Sequence, residues 1–240
     1  MWRIFFNFLW FLSYFIPFPG LRRWWRTEKC FDYGNKLHAL KKSFPGLRWG
    51  KFRLAKGGGS LAFIVDNTVF KIRKHNRESD SQMKFEREKR ITDAVAPILP
   101  VAVPHIDILN IDGYMVYKTQ LIPGRVLVDM PLKRILENRE KIANQITDII
   151  WIMFNAEYPE LNDLRPQNAD TEIGLTHGDM CSNIIVNPKT MDIVGIIDWE
   201  YASFSSISRD FFGIFKFRRK MRLTDLGPMV MWKYAEKCQK

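Results

Sequence analysis

Between Leu175 and Glu200 the chain reads LTHGDMCSNIIVNPKTMDIVGIIDWE, which sets His177, Asp179 and Asn183 in one loop and Asp198 and Glu200 in another. Two apolar runs, Ile184 to Val186 and Ile193 to Ile197, lie between them and predict a hairpin that returns the second loop to the edge of the first. A carboxylate, a carboxamide and a second carboxylate on one edge suit phosphoryl transfer, in which the protein mainly positions groups and neutralises charge. Asp179 can orient an attacking hydroxyl and accept its proton. Asn183, four residues on, offers oxygen to a magnesium ion without adding repulsion, and Asp198 can join metal to phosphate. His177 is expected to brace the loop rather than to react.

Other stretches must position these residues. Lys51 to Lys74, KFRLAKGGGSLAFIVDNTVFKIRK, predicts strand, glycine turn, strand, an Asp66-Asn67 hairpin and a third strand that carries Lys71. Gly57, Gly58 and Gly59 allow the backbone to approach phosphate oxygens and present amides, with Ser60 adding a hydroxyl. Ser79 to Val95 predicts a helix capped by Ser79 or Asp80, with Phe85, Ile91, Ala94 and Val95 as its apolar contacts and with Glu86 and Glu88 as acidic candidates. Tyr114 to Gly124 predicts a strand that ends in an Ile-Pro-Gly turn. Ile142, Ile146, Ile149, Ile150 and Met153 repeat at helical intervals and mark a buried helix. Thr27 to Trp49 carries no motif, and Glu157 to Glu172 predicts a loop.

The run His177-Gly-Asp-Met-Cys-Ser-Asn183 followed by Ile196-Ile-Asp-Trp-Glu200 resembles the aminoglycoside phosphotransferase and choline kinase family. The resemblance covers roughly Trp49 to Phe212. It implies an α+β, bilobal protein-kinase-like fold, with a small antiparallel-sheet N-lobe carrying one helix and a mainly helical C-lobe. It also implies an ATP- and magnesium-dependent kinase acting on a hydroxyl. In that family Asp179 would be the catalytic base, and Asn183 and Asp198 would bind magnesium. Gly57, Gly58, Gly59 and Ser60 would cover the nucleotide, Lys71 would contact its phosphates, and backbone groups near Lys118 to Gln120 would meet adenine. The spacing from Arg87-Glu88 to Pro100-Val-Ala-Val-Pro104 is similar to the family's and selects Glu88 over Glu86 as the partner of Lys71. Asp210 would brace the catalytic loop, and Glu200 falls on a common acidic position of open role. The implied division is a membrane-associating segment at 1–26, a connection at 27–48, an N-lobe at 49–117, a hinge at 118–124 and a C-lobe at 125–240. About forty residues follow Asp198, fewer than the usual helical tail that builds the acceptor pocket.

Length and composition fit one bilobal catalytic domain of 240 residues. The net charge of +11 is unevenly spread. Residues 1–90 hold 20 Lys or Arg against 7 Asp or Glu, 201–240 hold 9 against 3, and 126–175 hold 5 against 9. No zinc-finger, RNA-recognition or helix-turn-helix pattern accompanies the basic residues, so nucleic acid is not the expected partner. Ile4 to Phe18 is apolar except for Asn7 and Ser13, and Arg22, Arg23 and Arg26 follow it. This suggests an anchor in the cytoplasmic leaflet of an anionic membrane. The expected location is therefore cytoplasmic and peripheral at the inner membrane face, and the expected acceptor is a sugar or glycolipid. A soluble aminoglycoside- or choline-type kinase is the alternative, favoured by the acidic stretch 126–175. A tethered nucleotide-binding module without turnover is the rival from another class. Cys30, Cys181 and Cys238 lack metal-ligand spacing and are expected to be reduced thiols.

Overall fold

Short β-branched and aromatic runs separated by tight turns give the first of two compact units its sheet, as seen in a computed structural model that describes residues 11–22, 25, 32–56, 59–74, 78–167, 172–215 and 221–239. This unit comprises the chain up to Phe85 together with Asp107–Leu121. Its strands are β1 (Arg53–Lys56), β2 (Ser60–Val65), β3 (Thr68–Arg73), β4 (Asp107–Ile111) and β5 (Tyr114–Gln120). They form one antiparallel sheet in the order β1-β2-β3-β5-β4. The β4–β5 turn places Asp112 and Gly113 at φ of +49° and +79°, the left-handed pair of residues that matches strand twist in a two-residue hairpin. Asp66 at the β2–β3 turn accepts hydrogen bonds from the Arg48 backbone N–H at 3.0 Å and the Arg48 Nε at 2.6 Å.

Leu61, Phe63, Val65, Phe70, Ile72 and Val116 bury one core of this unit against Leu40 and Ala39 of α1 (Tyr33–Ser43). Thr27 to Trp49 carries no motif in the sequence beyond a Phe44-Pro45-Gly46 turn, and α1 lies ahead of that turn. The helix was hidden because one of its inward residues is a lysine. Lys36 is buried, donates from Nζ to the Lys74 carbonyl at 3.0 Å and lies over the Tyr114 ring at 5.7 Å. Burial pushes its pKa down to about 8, with the nearby Asp32 charge acting the other way.

The second unit comprises Glu86–Ile106 and Ile122–Lys240. The division falls inside α2 (Glu78–Val95), which starts one residue before Ser79 and two before Asp80, the two expected caps. The remaining elements are β6 (Arg125–Val126), α3 (Leu132–Glu137), α4 (Arg139–Asn155), β7 (Gly174–Thr176), β8 (Ile184–Val186), β9 (Ile193–Ile196), β10 (Ser203–Ser205), α5 (Ser208–Phe215) and α6 (Leu226–Cys238). Ile142, Ile146, Ile149, Ile150 and Met153 of α4 are all buried, as their spacing predicts. Strand β8 pairs with β6 and β9, giving the expected hairpin, and β10 pairs with β7. Within Glu157 to Glu172, Pro159–Leu164 form a 3-10 turn. Helix α6 closes over α4, with Thr147 Oγ1 donating to the Val230 carbonyl at 3.4 Å and Lys237 paired with Asp148 at 2.6 Å.

Among the described residues no helix is long and apolar enough to cross a membrane. Residues 1–10, 23, 24 and 26 of the expected anchor lie outside the described residues.

Candidate active site

Strand β7 delivers the chain into the first acidic loop, and one buried carboxylate fixes the turn. Asp210, near the start of α5, accepts the His177 backbone N–H at 3.0 Å and the Gly178 N–H at 2.7 Å. Gly178 has φ of +78°, and a Cβ there would stand 2.9 Å from the Tyr201 carbonyl oxygen, so the turn requires glycine. Asp210 is fully enclosed, and burial pushes its pKa up to about 6 although both amides and Arg209 favour the ion.

The His177 ring is also enclosed, 4.6 Å from the ring of Trp199. Its Nδ1 accepts the Asp179 backbone N–H at 3.2 Å and its Nε2 lies 3.1 Å from the Ile197 carbonyl, which fixes the proton on Nε2. Burial pulls its pKa down to about 4, so the ring is neutral at physiological pH. Both nitrogens are thus engaged with backbone, and the ring ties the loop of Asp179 to the end of β9.

Asn183 donates from Nδ2 to the Asp179 carbonyl at 2.7 Å and more weakly to its carboxylate at 3.4 Å. This leaves Asn183 Oδ1 as the atom able to ligate a cation. The Asp179 carboxylate is held above the ordinary range first by burial, then by the charges of Asp198 and Glu200, with the Asn183 hydrogen bond acting in the opposite direction. The Ile197 N–H donates to the Asn183 carbonyl at 3.0 Å, so the hairpin does return the second acidic loop to the first. Asp198 follows at φ of +63°.

Glu88 completes this part of the unit. It is 1% exposed, whereas Glu86 is exposed, and its Oε1 accepts the Trp199 N–H at 3.2 Å. One carboxylate oxygen each from Glu88, Asp198 and Glu200 lie within 4.8 Å of one another. Together with Asn183 Oδ1 these are hard oxygen donors, the chemistry that suits magnesium.

Two arginines that sequence reading passed over clamp the second loop. Arg87 donates to the carbonyls of Glu200 and Ala202, and Arg209 donates to the Tyr201 carbonyl and the Ser203 hydroxyl. Arg87 reaches acceptors 113 and 115 residues away, whereas those of Arg209 lie 6 and 8 residues away; three of the four acceptors are backbone carbonyls, which the sequence does not mark.

The nucleotide candidates lie in the first unit. Gly57 and Gly58 fall outside the described residues, whereas Gly59 leads directly into Ser60 at the start of β2. Lys71 is on β3 with Nζ 5.3 Å from the Tyr117 ring centre. Lys118 pairs in register with both Phe70 and Asp107, and its side chain meets Asp107 at 3.2 Å, so it stands inside the sheet. Thr119 and Gln120 continue past the start of β4.

Residues 128–226 match the sequence profile of the phosphotransferase enzyme family. No curated protein matches the sequence. The fold is similar to the GDP complex of aminoglycoside 2'-phosphotransferase-IIIa, at a TM-score of 0.64 and 14% identity over 84% of this chain and 82% of that one. It is similar to the streptomycin–ATP ternary complex of APH(2'')-IIa, at 0.61 and 12% identity over 84% and 82%. It is also similar to a macrolide 2'-phosphotransferase from Brachybacterium faecium, at 0.52 and 17% identity over 84% and 83%.

Proposed function

We propose that this phosphotransferase of the aminoglycoside phosphotransferase fold moves the γ-phosphoryl group of ATP or GTP to a hydroxyl of a small, amine-bearing polyol. The observation that carries the reading is the convergence of Asp179, Asn183 and Asp198 through the Asn183–Asp179 and Ile197–Asn183 hydrogen bonds. Asp179 is assigned the proton of the attacking hydroxyl. Its carboxylate is held above the ordinary range by burial and by the charge of Asp198, which makes it a stronger proton acceptor than an exposed aspartate. Asn183 and Asp198 would hold magnesium, with Glu88 and Glu200 beside them; the ion would supply neutralisation of phosphate charge. His177 and Asp210 shape the loop, and the turn Gly57 to Ser60, Lys71 and backbone groups near Lys118 to Gln120 bind nucleotide. The acidic excess of 126–175 favours a cationic acceptor, as in the relative bound to streptomycin.

Replacing Asp179 with Asn tests the assignment. Turnover is expected to fall by roughly 10² to 10⁴ while nucleotide affinity holds; equal turnover would remove Asp179 from its role.

A second reading places the enzyme at an anionic membrane face, with a glycolipid acceptor. It rests on Phe11, Tyr14, Phe15, Phe18 and Leu21, which expose 49 to 69% of their surface beside Arg22. Flotation with phosphatidylserine vesicles separates the two: binding by the full chain that is lost without residues 1–26 supports the membrane, and no binding removes it.

A further inference from the structure

Ser60 is 5% exposed, and its Oγ has no hydrogen-bond partner among the described residues, a costly state for a buried hydroxyl. It stands in register with Arg73 across the β2–β3 ladder, and the next pair on that face is Ala62 with Lys71. Side chains of a registered pair share a face, so Ser60, Arg73 and Lys71 lie together at the end of the sheet that bears the glycine turn.

Arg73 is held there by specific contacts. Its guanidinium lies 5.6 Å from the Phe85 ring centre, Phe85 meets the Tyr117 ring edge-on at 5.7 Å, and Tyr117 in turn lies under Lys71. Two cations thus stand on two joined aromatic rings. The guanidinium also lies close against Gly59, where a Cβ would meet Arg73 Nη1 at 2.8 Å. The Gly59 carbonyl accepts the Lys74 N–H at 3.0 Å, which ties the turn to the residue after Arg73.

We propose that Arg73 is a second polyphosphate-binding cation beside Lys71, with the Ser60 hydroxyl as its companion donor, so that the turn grips the nucleotide through a guanidinium as well as through backbone amides. The inference rests on the nucleotide reading above. A planar guanidinium can give two parallel N–H bonds to a phosphate, which an ammonium cannot. The buried Ser60 hydroxyl is retained at a cost to the empty protein because the bound phosphate satisfies it.

Calorimetric titration of the full chain with adenosine, AMP, ADP and ATP, in the wild type and in Arg73→Gln, Arg73→Lys, Ser60→Ala and Lys71→Met, tests this. Arg73→Gln is expected to weaken ADP and ATP at least tenfold and adenosine less than twofold, with Arg73→Lys restoring part of the loss. Ser60→Ala is expected to weaken ADP and ATP several-fold while raising the melting temperature of the nucleotide-free protein, a pairing that a purely structural hydroxyl would not give. Unchanged ATP affinity in Arg73→Gln, an equal loss for adenosine, or an Arg73→Lys protein no better than Arg73→Gln overturns the proposal. If Lys71→Met weakens ATP and Arg73→Gln does not, only this inference falls. If the wild type binds no nucleotide, the functional reading falls with it.

Discussion

Asp210 and His177 are enclosed side by side at the first acidic loop, and they should make opposite contributions to stability across almost the same pH range. The pKa of Asp210 is raised from 3.8 to about 6, so the folded chain binds its proton more tightly than the unfolded chain. Its contribution favours folding below pH 3.8 and is lost as the pH rises through 6. At about 1.4 kcal/mol per pH unit that loss is about 3 kcal/mol. The pKa of His177 is lowered from 6.5 to about 4, so the unfolded chain takes the proton first and folding gains as the pH rises from 4 through 6.5. That gain is also about 3 kcal/mol, and the two nearly cancel. Replacing Asp210 with Asn removes the falling limb and leaves the rising one. Urea unfolding of both proteins at intervals from pH 4 to 7.5 reads the effect, because every other titrating group is common to the two. The stability of Asp210→Asn relative to wild type is expected to rise by about 3 kcal/mol across that range. A fixed offset accompanies it, since the amide has one acceptor for the two N–H groups of His177 and Gly178 and turns a donor toward the other. Turnover should drop as the loop loses its brace. A relative stability that stays flat or falls with pH would refute the assignment of Asp210 as a buried ion at neutral pH.

Two further outcomes follow from the same loops. Gly178→Ala forces a side chain into the left-handed region against the Tyr201 carbonyl and should lower stability by about 2 kcal/mol or more, read by thermal melting, with turnover falling further than stability alone explains. Glu88→Gln keeps an acceptor for the Trp199 N–H but removes one charge from the carboxylate trio, so the magnesium concentration for half-maximal turnover should rise by about 10- to 100-fold with little change in melting temperature.

What was legible in the sequence shares one property: the signal is local. The β8–β9 hairpin, the α4 stripe and the loop from His177 to Asn183 each declare themselves within about a dozen residues, by alternation, by helical period or by a contiguous polar motif. Spacing favours Glu88 over Glu86 as a lysine partner, and the structure distinguishes the two by burial, with α2 turning Glu88 inward to the Trp199 amide, a contact that does not bear on that pairing. Helix α1 escaped because Lys36 sits on its inward face, where a charged residue reads as solvated surface. Arg87 and Arg209 escaped for a different reason. Apart from the Ser203 hydroxyl their partners are backbone carbonyls, which carry no residue identity and so leave no mark in the sequence.

Those carbonyl clamps explain how the second acidic loop can hold its shape. Asp198 occupies the left-handed region, which costs a residue with a side chain about 1 kcal/mol that glycine would not incur. The cost is offset on both sides by backbone bonds: the preceding Ile197 N–H reaches the Asn183 carbonyl, and the following Trp199 N–H reaches Glu88. Arg87 and Arg209 then fix the carbonyls of residues 200 to 202. Each of these bonds forms within the protein, so the backbone that carries Asp198 is fixed on both sides. Fixed groups of this kind need no reorganisation when charge moves during reaction, which is where electrostatic catalysis gains most. A glycine would relax the backbone but remove the carboxylate, so under the proposed function an aspartate is retained here despite its backbone cost.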